Sequence, residues 1–186
     1  MKTFLVLGAL AALFQSTSCL EAGTYKIRPA GGVSTRVLTD TGEPNAPVKF
    51  DIARWEVLDL LGISTQTNTK FEISGQRWHF LGNGKYDNYG STTDFDQFVI
   101  TSGIGYNITC GNQVGSPCVS GDKPQFYSVR KTSFGTYQIV DNESGYFLRA
   151  SGEDEVHLAA EDNSIQEEFF LDKLPIGEYV PRDDTT

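Results

Sequence analysis

Short segments in which apolar and polar residues alternate run along most of this chain, and helical spacing of apolar residues is nearly absent. Four such segments come early: Tyr25-x-Ile27, Val37-Leu38, Val48-x-Phe50 and Trp55-x-Val57. Turn-forming residues separate them, at Gly31-Gly32 and in the stretch from Thr41 to Asn45. A period of two between turn residues is typical of β-strands with one buried face. The pattern therefore predicts an all-β protein.

The same series of four segments returns near the end of the chain. Its members are Tyr137-x-Ile139, Phe147-Leu148, Val156-x-Leu158 and Phe169-x-Leu171. Residues 135–139 also match residues 23–27 in character, since both begin with Gly-Thr-Tyr. A four-strand unit that recurs at similar length is an internal repeat.

A longer stretch lies between these two units, opening at Phe71-x-Ile73 and closing at Tyr127-x-Val129. We interpret it as a third unit with an insertion, which includes the cysteine loop and a candidate strand from Phe95 to Ile100. A second interpretation counts four units, with Phe95 to Ile100 closing the second and Tyr106-x-Ile108 opening a third. Both interpretations remain open at the level of sequence.

Three units arranged around an axis would bury their apolar faces together and leave few free strand edges. Aromatic side chains of the strands then fill the shared core, because large apolar rings gain most from burial. The core candidates are Tyr25, Trp55, Tyr137 and Phe169.

The first residues predict an export signal. Met1-Lys2 precedes an apolar run from Phe4 to Phe14, and small residues lead up to Cys19. The run is shorter than the about 20 residues that cross a membrane. We expect residues 1–19 to be a cleaved signal peptide, residues 20–174 one domain and residues 175–186 a loosely ordered tail. The protein is then secreted and extracellular, without a membrane span; a lipid-bearing Cys19 is the alternative.

Acidic residues outnumber basic ones by 24 to 15, and the formal net charge is −9. Negative charge repels phosphate backbones, so nucleic-acid binding is not expected. Two N-glycosylation sequons fit a secreted chain: Asn107-Ile108-Thr109 and Asn142-Glu143-Ser144.

Cys110 and Cys118 flank a loop rich in turn residues, and in an oxidising compartment this spacing predicts a disulfide. Metal ligation is the alternative, but His79 and His157 form no ligand-spaced cluster with the cysteines. We expect neither a metal nor a cofactor.

Candidate catalytic groups are few. His79 and His157 occupy alternating segments at positions that face outwards, which favours solvated side chains over a catalytic base. The acidic clusters at 153–155 and 161–162 fall in turn regions, where carboxylates stay in water. We therefore expect a binding protein and not an enzyme.

Binding residues are expected on loops, because loops carry freely varying side chains on a rigid frame. The stretch from Gly82 to Gly90 places two tyrosines among small polar residues, a composition that favours recognition. Its candidate binding residues are Asn83, Lys85, Tyr86, Asn88 and Tyr89. The cysteine loop at 110–118 is a second candidate, since a crosslink lowers the entropy lost on binding.

The string Leu20 to Ile27, with Val37-Leu38, Pro47-Val48 and the closing Trp55, resembles the opening unit of β-trefoil proteins. It is most similar to ricin-B-like lectins and fungal trefoil protease inhibitors, and residues 135–171 resemble their last repeat. The resemblance implies a β-trefoil: three four-stranded units around a pseudo-threefold axis, here with the insertion in the middle unit.

Ricin-type lectins carry Gln-x-Trp at the closing strand of each unit. The literal match, Gln76-Arg77-Trp78, falls at a strand that we predict to be the second of the middle unit. These lectins also use an acid after the apolar residue of the second strand to bind sugar hydroxyls. The corresponding residues here are Thr39, Gly82 and Arg149, none of them acidic. An alternative sugar site would use Asp40, Asn163 and Gln166.

The missing acids favour a secreted protease inhibitor that inserts a surface loop into its target, where Lys85 suits a trypsin-like pocket. The alternatives are a carbohydrate-binding lectin module and a secreted effector that binds a partner protein. The expected partner is a protease or a glycan, and we expect a monomer.

Overall fold

The computed structural model describes residues 20–32, 35–53, 74–82, 97–152 and 154–174. These residues form strands and one 3-10 helix at Ile165–Glu167. The strands are β1 Gly23–Pro29, β2 Arg36–Thr39, β3 Lys49–Ile52, β4 Trp78–Gly82, β5 Phe98–Ser102, β6 Asn107–Cys110, β7 Cys118–Gly121, β8 Phe126–Lys131, β9 Tyr137–Asp141, β10 Phe147–Ser151, β11 Glu155–Ala159 and β12 Phe169–Lys173. The predicted all-β class is confirmed.

Six strands close into a barrel. β1 pairs with β4 and β12, β5 pairs with β4 and β8, and β9 pairs with β8 and β12, all antiparallel. Examples of the register are Tyr25 opposite Trp78 and Phe169 opposite Tyr137. Closure satisfies the backbone on both sides of each strand, so the barrel has no free edge.

The remaining six strands form three hairpins, β2–β3, β6–β7 and β10–β11. The hairpins also bond to one another. Lys49 of β3 lies opposite Glu155 of β11, Pro47 bridges to Val119 of β7, and Pro117 bridges to His157 of β11. The apolar faces of the hairpins and the interior of the barrel form one hydrophobic core.

Aromatic rings dominate that core. Tyr25 and Phe98 both contact the ring of Phe80 edge to face, with centroid separations of 5.2 and 5.9 Å. Burial of Tyr25 and Phe169 confirms two of the predicted core residues, and Tyr137 is half-buried against the core. The fourth candidate, Trp55, lies outside the described residues. Trp78, which was not singled out from the sequence as a core residue, is completely buried.

Pairing corrects three strand assignments made from the sequence. Trp78 begins the barrel strand β4, and not the second strand of a unit. The cysteine pair lies in hairpin β6–β7, which is equivalent in its pairing to the other two hairpins and is no insertion. Ile108 lies in this hairpin as well, so it does not open a barrel unit. The alternation of apolar and polar residues predicted the described strands. It is the same in barrel and hairpin strands, so it does not reveal which strand pairs with which.

Some predictions fall outside the part of the chain that the structure describes. The signal peptide at 1–19 and the tail at 175–186 are two of them. Among the described residues, no helix has the length and apolar character needed to cross a membrane.

Candidate functional site

A short motif recurs where β4, β8 and β12 begin. Each of these strands has a buried aromatic residue at its first or second position, and an amide or carboxyl residue stands two places before that aromatic. The three copies are Gln76-x-Trp78, Gln125-x-Tyr127 and Glu167-x-Phe169. Sequence reasoning recognised the first as Gln-x-Trp but missed the second, because Tyr replaces Trp. A broader pattern of Gln or Glu, any residue and an aromatic would have found all three.

The first copy joins a barrel strand to hairpin β2–β3. Gln76 Nε2 donates to the backbone carbonyl of Ile52 at 3.0 Å and to Thr39 Oγ1 at 3.4 Å. The indole Nε1 of Trp78 donates to the carbonyl of Leu38 at 2.8 Å. Both side chains are buried, so these bonds satisfy polar groups that water cannot reach.

The second copy makes a partly buried polar link between β6, the start of β8 and β9. Gln125 Oε1 accepts from the backbone N–H of Cys110 at 2.6 Å, and its Nε2 donates to Asp141 Oδ1 at 2.8 Å. Asp141 is fully buried, and its Oδ2 also accepts from the backbone N–H and the hydroxyl of Ser144 at 2.9 and 2.5 Å.

The third copy is ionic. The buried carboxylate of Glu167 accepts from Arg149 Nη2 at 2.5 Å and from the backbone N–H of Asp162 at 3.2 Å. Arg149 Nη2 also lies 2.5 Å from Asp162 Oδ2. The hydrogen bond that Arg149 donates to Glu167 raises the pKa of the Arg149 guanidinium. This cation is therefore neutralised by two carboxylates within the fold.

Pairing also relocates one of the positions where ricin-type lectins carry an acid. In the middle hairpin the residue after the buried apolar residue is Thr109, which follows Ile108 in β6. The sequence-based choice, Gly82, is wrong because Gly82 ends the barrel strand β4. The three equivalent residues are thus Thr39, Thr109 and Arg149, and no acid stands among them.

Asp40, the acid predicted for the alternative sugar site, is buried and hydrogen-bonded inside the protein. Asp40 is only 3% exposed, and its carboxylate accepts from Ser102 Oγ at 2.5 Å, Ser120 Oγ at 2.7 Å and the backbone N–H of Gly42 at 2.9 Å. Gln166 is exposed within the 3-10 helix, and Asn163 is exposed just before it. Asp40 therefore serves the interior of the protein, where its hydrogen bonds join β2 to β5 and β7.

A groove of about 450 Å³ lies over the second copy of the motif. We call it the Phe126 groove, because the ring of Phe126 lies in its wall and is 38% exposed. The polar residues that line the groove are Gln97, Thr109, Asn112, Gln125, Asp141, Asn142 and Glu143. Asn112 belongs to the cysteine loop, the second of the two predicted binding loops.

The base of the Phe126 groove is fixed by covalent and polar contacts. The predicted disulfide between Cys110 and Cys118 is confirmed, and it closes the hairpin that carries Asn112. Gly111 stands at the start of the same turn, where a Cβ would lie 2.6 Å from Ser116 Oγ. A larger residue at this position would therefore have to displace the Ser116 side chain.

A second groove, of about 490 Å³, lies where the three hairpins meet. Its charged lining residues are Lys49, Asp154, Glu155 and His157, so charges of both signs face it. Burial lowers the pKa of His157, with a further contribution from Arg149. This groove has no exposed aromatic ring in its lining and favours no ligand class.

His79, the other histidine, takes part in the barrel wall. It is half-buried in β4, and its Nδ1 lies 2.9 Å from Thr24 Oγ1 in the neighbouring strand β1. Burial lowers the pKa of its imidazole, and Arg77 lowers it further. The expected solvated position on an outer face is thus only partly correct.

The loop predicted to bind a protease lies outside the described residues. Its candidate residues, Asn83, Lys85, Tyr86, Asn88 and Tyr89, therefore stay a prediction.

No family model and no curated protein sequence matches this chain. Solved structures do match in fold. The Rhizoctonia solani agglutinin has a TM-score of 0.61 at 12% identity, covering 83% of this chain and 97% of that one. A ricin B-like lectin from Macrolepiota procera, solved in complex with lactose, has a TM-score of 0.58 at 18% identity, covering 83% of this chain and 99% of that one. The BEL β-trefoil has a TM-score of 0.55 at 11% identity, covering 83% of this chain and 95% of that one. The chain is thus a β-trefoil protein that resembles ricin-B-like lectins in fold.

Proposed function

We propose that this protein is a carbohydrate-binding β-trefoil module that binds glycans in the Phe126 groove. The observation that carries the proposal is the exposed Phe126 ring in a concave site rimmed by amide and carboxylate side chains. The fold similarity to an agglutinin and to a lactose-bound lectin supports it.

A sugar has two kinds of surface, and the groove offers a partner for each. The C–H face of a pyranose packs on an aromatic ring, which Phe126 supplies. Its hydroxyls need donors and acceptors at fixed positions, which Gln97, Asn112 and Glu143 supply from three separate segments. The volume of about 450 Å³ falls within the range of about 300–1,000 Å³ that small-ligand sites occupy.

The acid in this site comes from a different place than in ricin-type lectins. Thr109 stands where those lectins carry their acid, and Asp141 is buried and engaged by Gln125 and Ser144. Glu143, exposed in the turn between β9 and β10, is the carboxylate that faces the groove. The proposed site therefore makes one charge-assisted contact through a turn and relies otherwise on neutral amides, which are weaker partners.

We also propose that the twelve strands form three units, β1–β4, β5–β8 and β9–β12. Each contains two barrel strands and one hairpin, and the motif of Gln or Glu, any residue and an aromatic leads into each closing strand. Export through the segment 1–19 remains part of the proposal.

Protease inhibition stays a prediction from the sequence. Its loop is outside the described residues, and the observations on the described residues favour a glycan site. An inhibition assay with trypsin-like, subtilisin-like and papain-like proteases separates the two functions, since a lectin leaves all three classes active.

A glycan array probed with the unglycosylated protein and two phenylalanine variants tests the proposal. Phe126→Ala removes the ring of the groove, whereas Phe134→Ala removes an 84% exposed ring from the turn between β8 and β9 that does not line it. We expect the first variant to weaken binding to every glycan on the array about tenfold, equivalent to about 1.4 kcal/mol, and the second to bind as the parent. A blank array, or equal binding by Phe126→Ala, would overturn the proposed function.

A further inference from the structure

The two N-glycosylation sequons lie in different surroundings. Asn142 is exposed in the turn that follows β9, and its side chain lines the Phe126 groove. Asn107 begins β6, where it is half-buried and paired with Thr101 and Gly121 on the neighbouring strands. A sugar attached to Asn142 therefore lies at an exposed turn, whereas one attached to Asn107 lies at a half-buried strand position.

Hydrogen bonding strengthens the contrast. An N-linked sugar replaces one hydrogen of the amide Nδ2 and leaves the oxygen Oδ1 unchanged. Asn107 Nδ2 donates to the carbonyl of Asp122 at 3.3 Å, and its Oδ1 accepts from Thr101 Oγ1 at 2.7 Å. In Asn142 it is Oδ1 that is engaged, by the hydroxyl of Ser128 at 2.6 Å. A glycan on Asn142 preserves this hydrogen bond, whereas one on Asn107 disturbs the β6 surface.

We propose that Asn142, and not Asn107, carries an N-linked glycan in the secreted protein, and that the first sugar of this glycan lies in the Phe126 groove. The second half of the inference rests on the proposed function, since it uses the same ring and the same rim. The attached sugar is thus a built-in occupant with which free glycans must compete.

The covalent step uses a lipid-linked oligosaccharide diphosphate of the secretory pathway as the donor. Nδ2 of Asn142 attacks C1 of the first sugar, and the new N–C bond replaces the C–O bond to the diphosphate. The lipid diphosphate leaves with the bonding electron pair, and the amide nitrogen loses one proton. Neither oxidant nor reductant is required.

Tethering makes occupancy favourable even where free sugar binds weakly. A ligand held on a short tether has an effective concentration on the order of millimolar. Asn142 and Glu143 are adjacent on the rim, and both line the groove that contains Phe126. A sugar attached to Asn142 therefore starts beside the ring and the carboxylate that would hold it.

Selection at folding accounts for the expected difference in occupancy. Transfer precedes folding, so both asparagines are accessible to the transferase. A chain modified on Asn107 must place its glycan at a half-buried strand position. The glycan also disturbs the hydrogen bond from Asn107 Nδ2 to the carbonyl of Asp122. Such chains fold less well and are depleted from the secreted product.

Site occupancy is measured by mass spectrometry of peptides from the full chain secreted by cultured eukaryotic cells. We expect nearly complete modification of Asn142 and none of Asn107. Asn142→Gln should yield unglycosylated protein, Asn107→Gln should leave the glycan in place, and Ser144→Thr, which keeps the sequon, should be modified as the parent. An unmodified Asn142, or equal occupancy of both sites, would overturn the assignment.

The position of the sugar is measured by NMR on secreted protein trimmed by an endoglycosidase to a single N-acetylglucosamine. We expect nuclear Overhauser contacts between this sugar and the Phe126 ring, and their loss in Phe126→Ala with occupancy unchanged. A trimmed sugar that shows no contact with the ring refutes the built-in occupant.

Titration of free N-acetylglucosamine into the unglycosylated chain separates the two proposals. Ring shifts with the free sugar but no contact from the attached one would refute the inference and support glycan binding in the groove. Contact from the attached sugar, together with a blank glycan array, would refute binding of free glycans and support the inference.

Discussion

The side-chain amide of Gln125 donates a hydrogen bond to the buried carboxylate of Asp141 at 2.8 Å, and this bond ties the start of β8 to the end of β9. The same amide accepts from the backbone of Cys110 in β6. Three strands are thus fixed to one another directly beneath the Phe126 groove. The polar base of the groove is part of the framework, while Asn112, Phe126 and Glu143 are free to contact a ligand.

Asp141→Ala should destabilise the protein strongly. The change leaves the half-buried Gln125 amide and the Ser144 groups without their acceptor, and donors that lose their partner away from water cost about 1–3 kcal/mol each. We expect the free energy of unfolding in urea to fall by about 2–4 kcal/mol. The control is Asp122→Ala, which removes an exposed carboxylate. Equal stability of the two variants would contradict the role assigned to Asp141.

Arg149→Met should destabilise by about 2–3 kcal/mol, because it leaves the fully buried carboxylate of Glu167 without its cation. The matched comparison is Lys173→Met, which breaks the exposed ion pair with Glu21 and should leave stability unchanged within error. Chemical denaturation of both variants measures the difference. The double variant Arg149→Met with Glu167→Leu should recover most of the loss, since no buried charge remains.

The stability of the protein should fall as the pH is lowered from about 7 to 5. Burial, and secondarily Arg77, lowers the pKa of His79 in the folded state below the unfolded value of about 6.5. Protons then bind the unfolded chain more readily, so stability is lost as the pH falls through about 6.5 towards the folded pKa.

His79→Gln tests this dependence, because glutamine keeps a polar partner for Thr24 but does not titrate. Unfolding midpoints in urea at pH 7 and pH 5 should differ less in the variant than in the parent. Carboxylates such as Glu21, whose pKa Lys173 lowers, change stability only at more acidic pH. Their contribution is the same in the parent and in the variant. An unchanged pH slope in His79→Gln would refute a contribution from this imidazole.

Removing the Cys110–Cys118 disulfide should lower both stability and binding. A closed loop of this length restricts the unfolded chain by about 2–3 kcal/mol. Cys110→Ala with Cys118→Ala should therefore unfold at a lower temperature, and its glycan binding should weaken because Asn112 is no longer held. Reductant should affect the parent but not the double variant. Identical melting curves for the two proteins would contradict the stabilising role.

The strands themselves were predictable because alternation of apolar residues is a local signal. Tyr25 and Phe169 lie in the core as their patterns indicated, and the disulfide followed from two cysteines near turn residues. The candidate site was less accessible to prediction. Sequence reasoning chose Asp40 for its charge, but only the packing of β5 and β7 shows that Ser102 and Ser120 take up its carboxylate.

The sequence by itself determined that this protein is built from short strands and that Cys110 and Cys118 pair. Only the tertiary structure decided that Trp78 belongs to the barrel and that Phe126, Asn112 and Glu143 border one groove. The physical reason is the distance along the chain over which each signal acts. A period of two fixes which face of a strand is buried, whereas the choice of neighbouring strand depends on how distant segments close the core together.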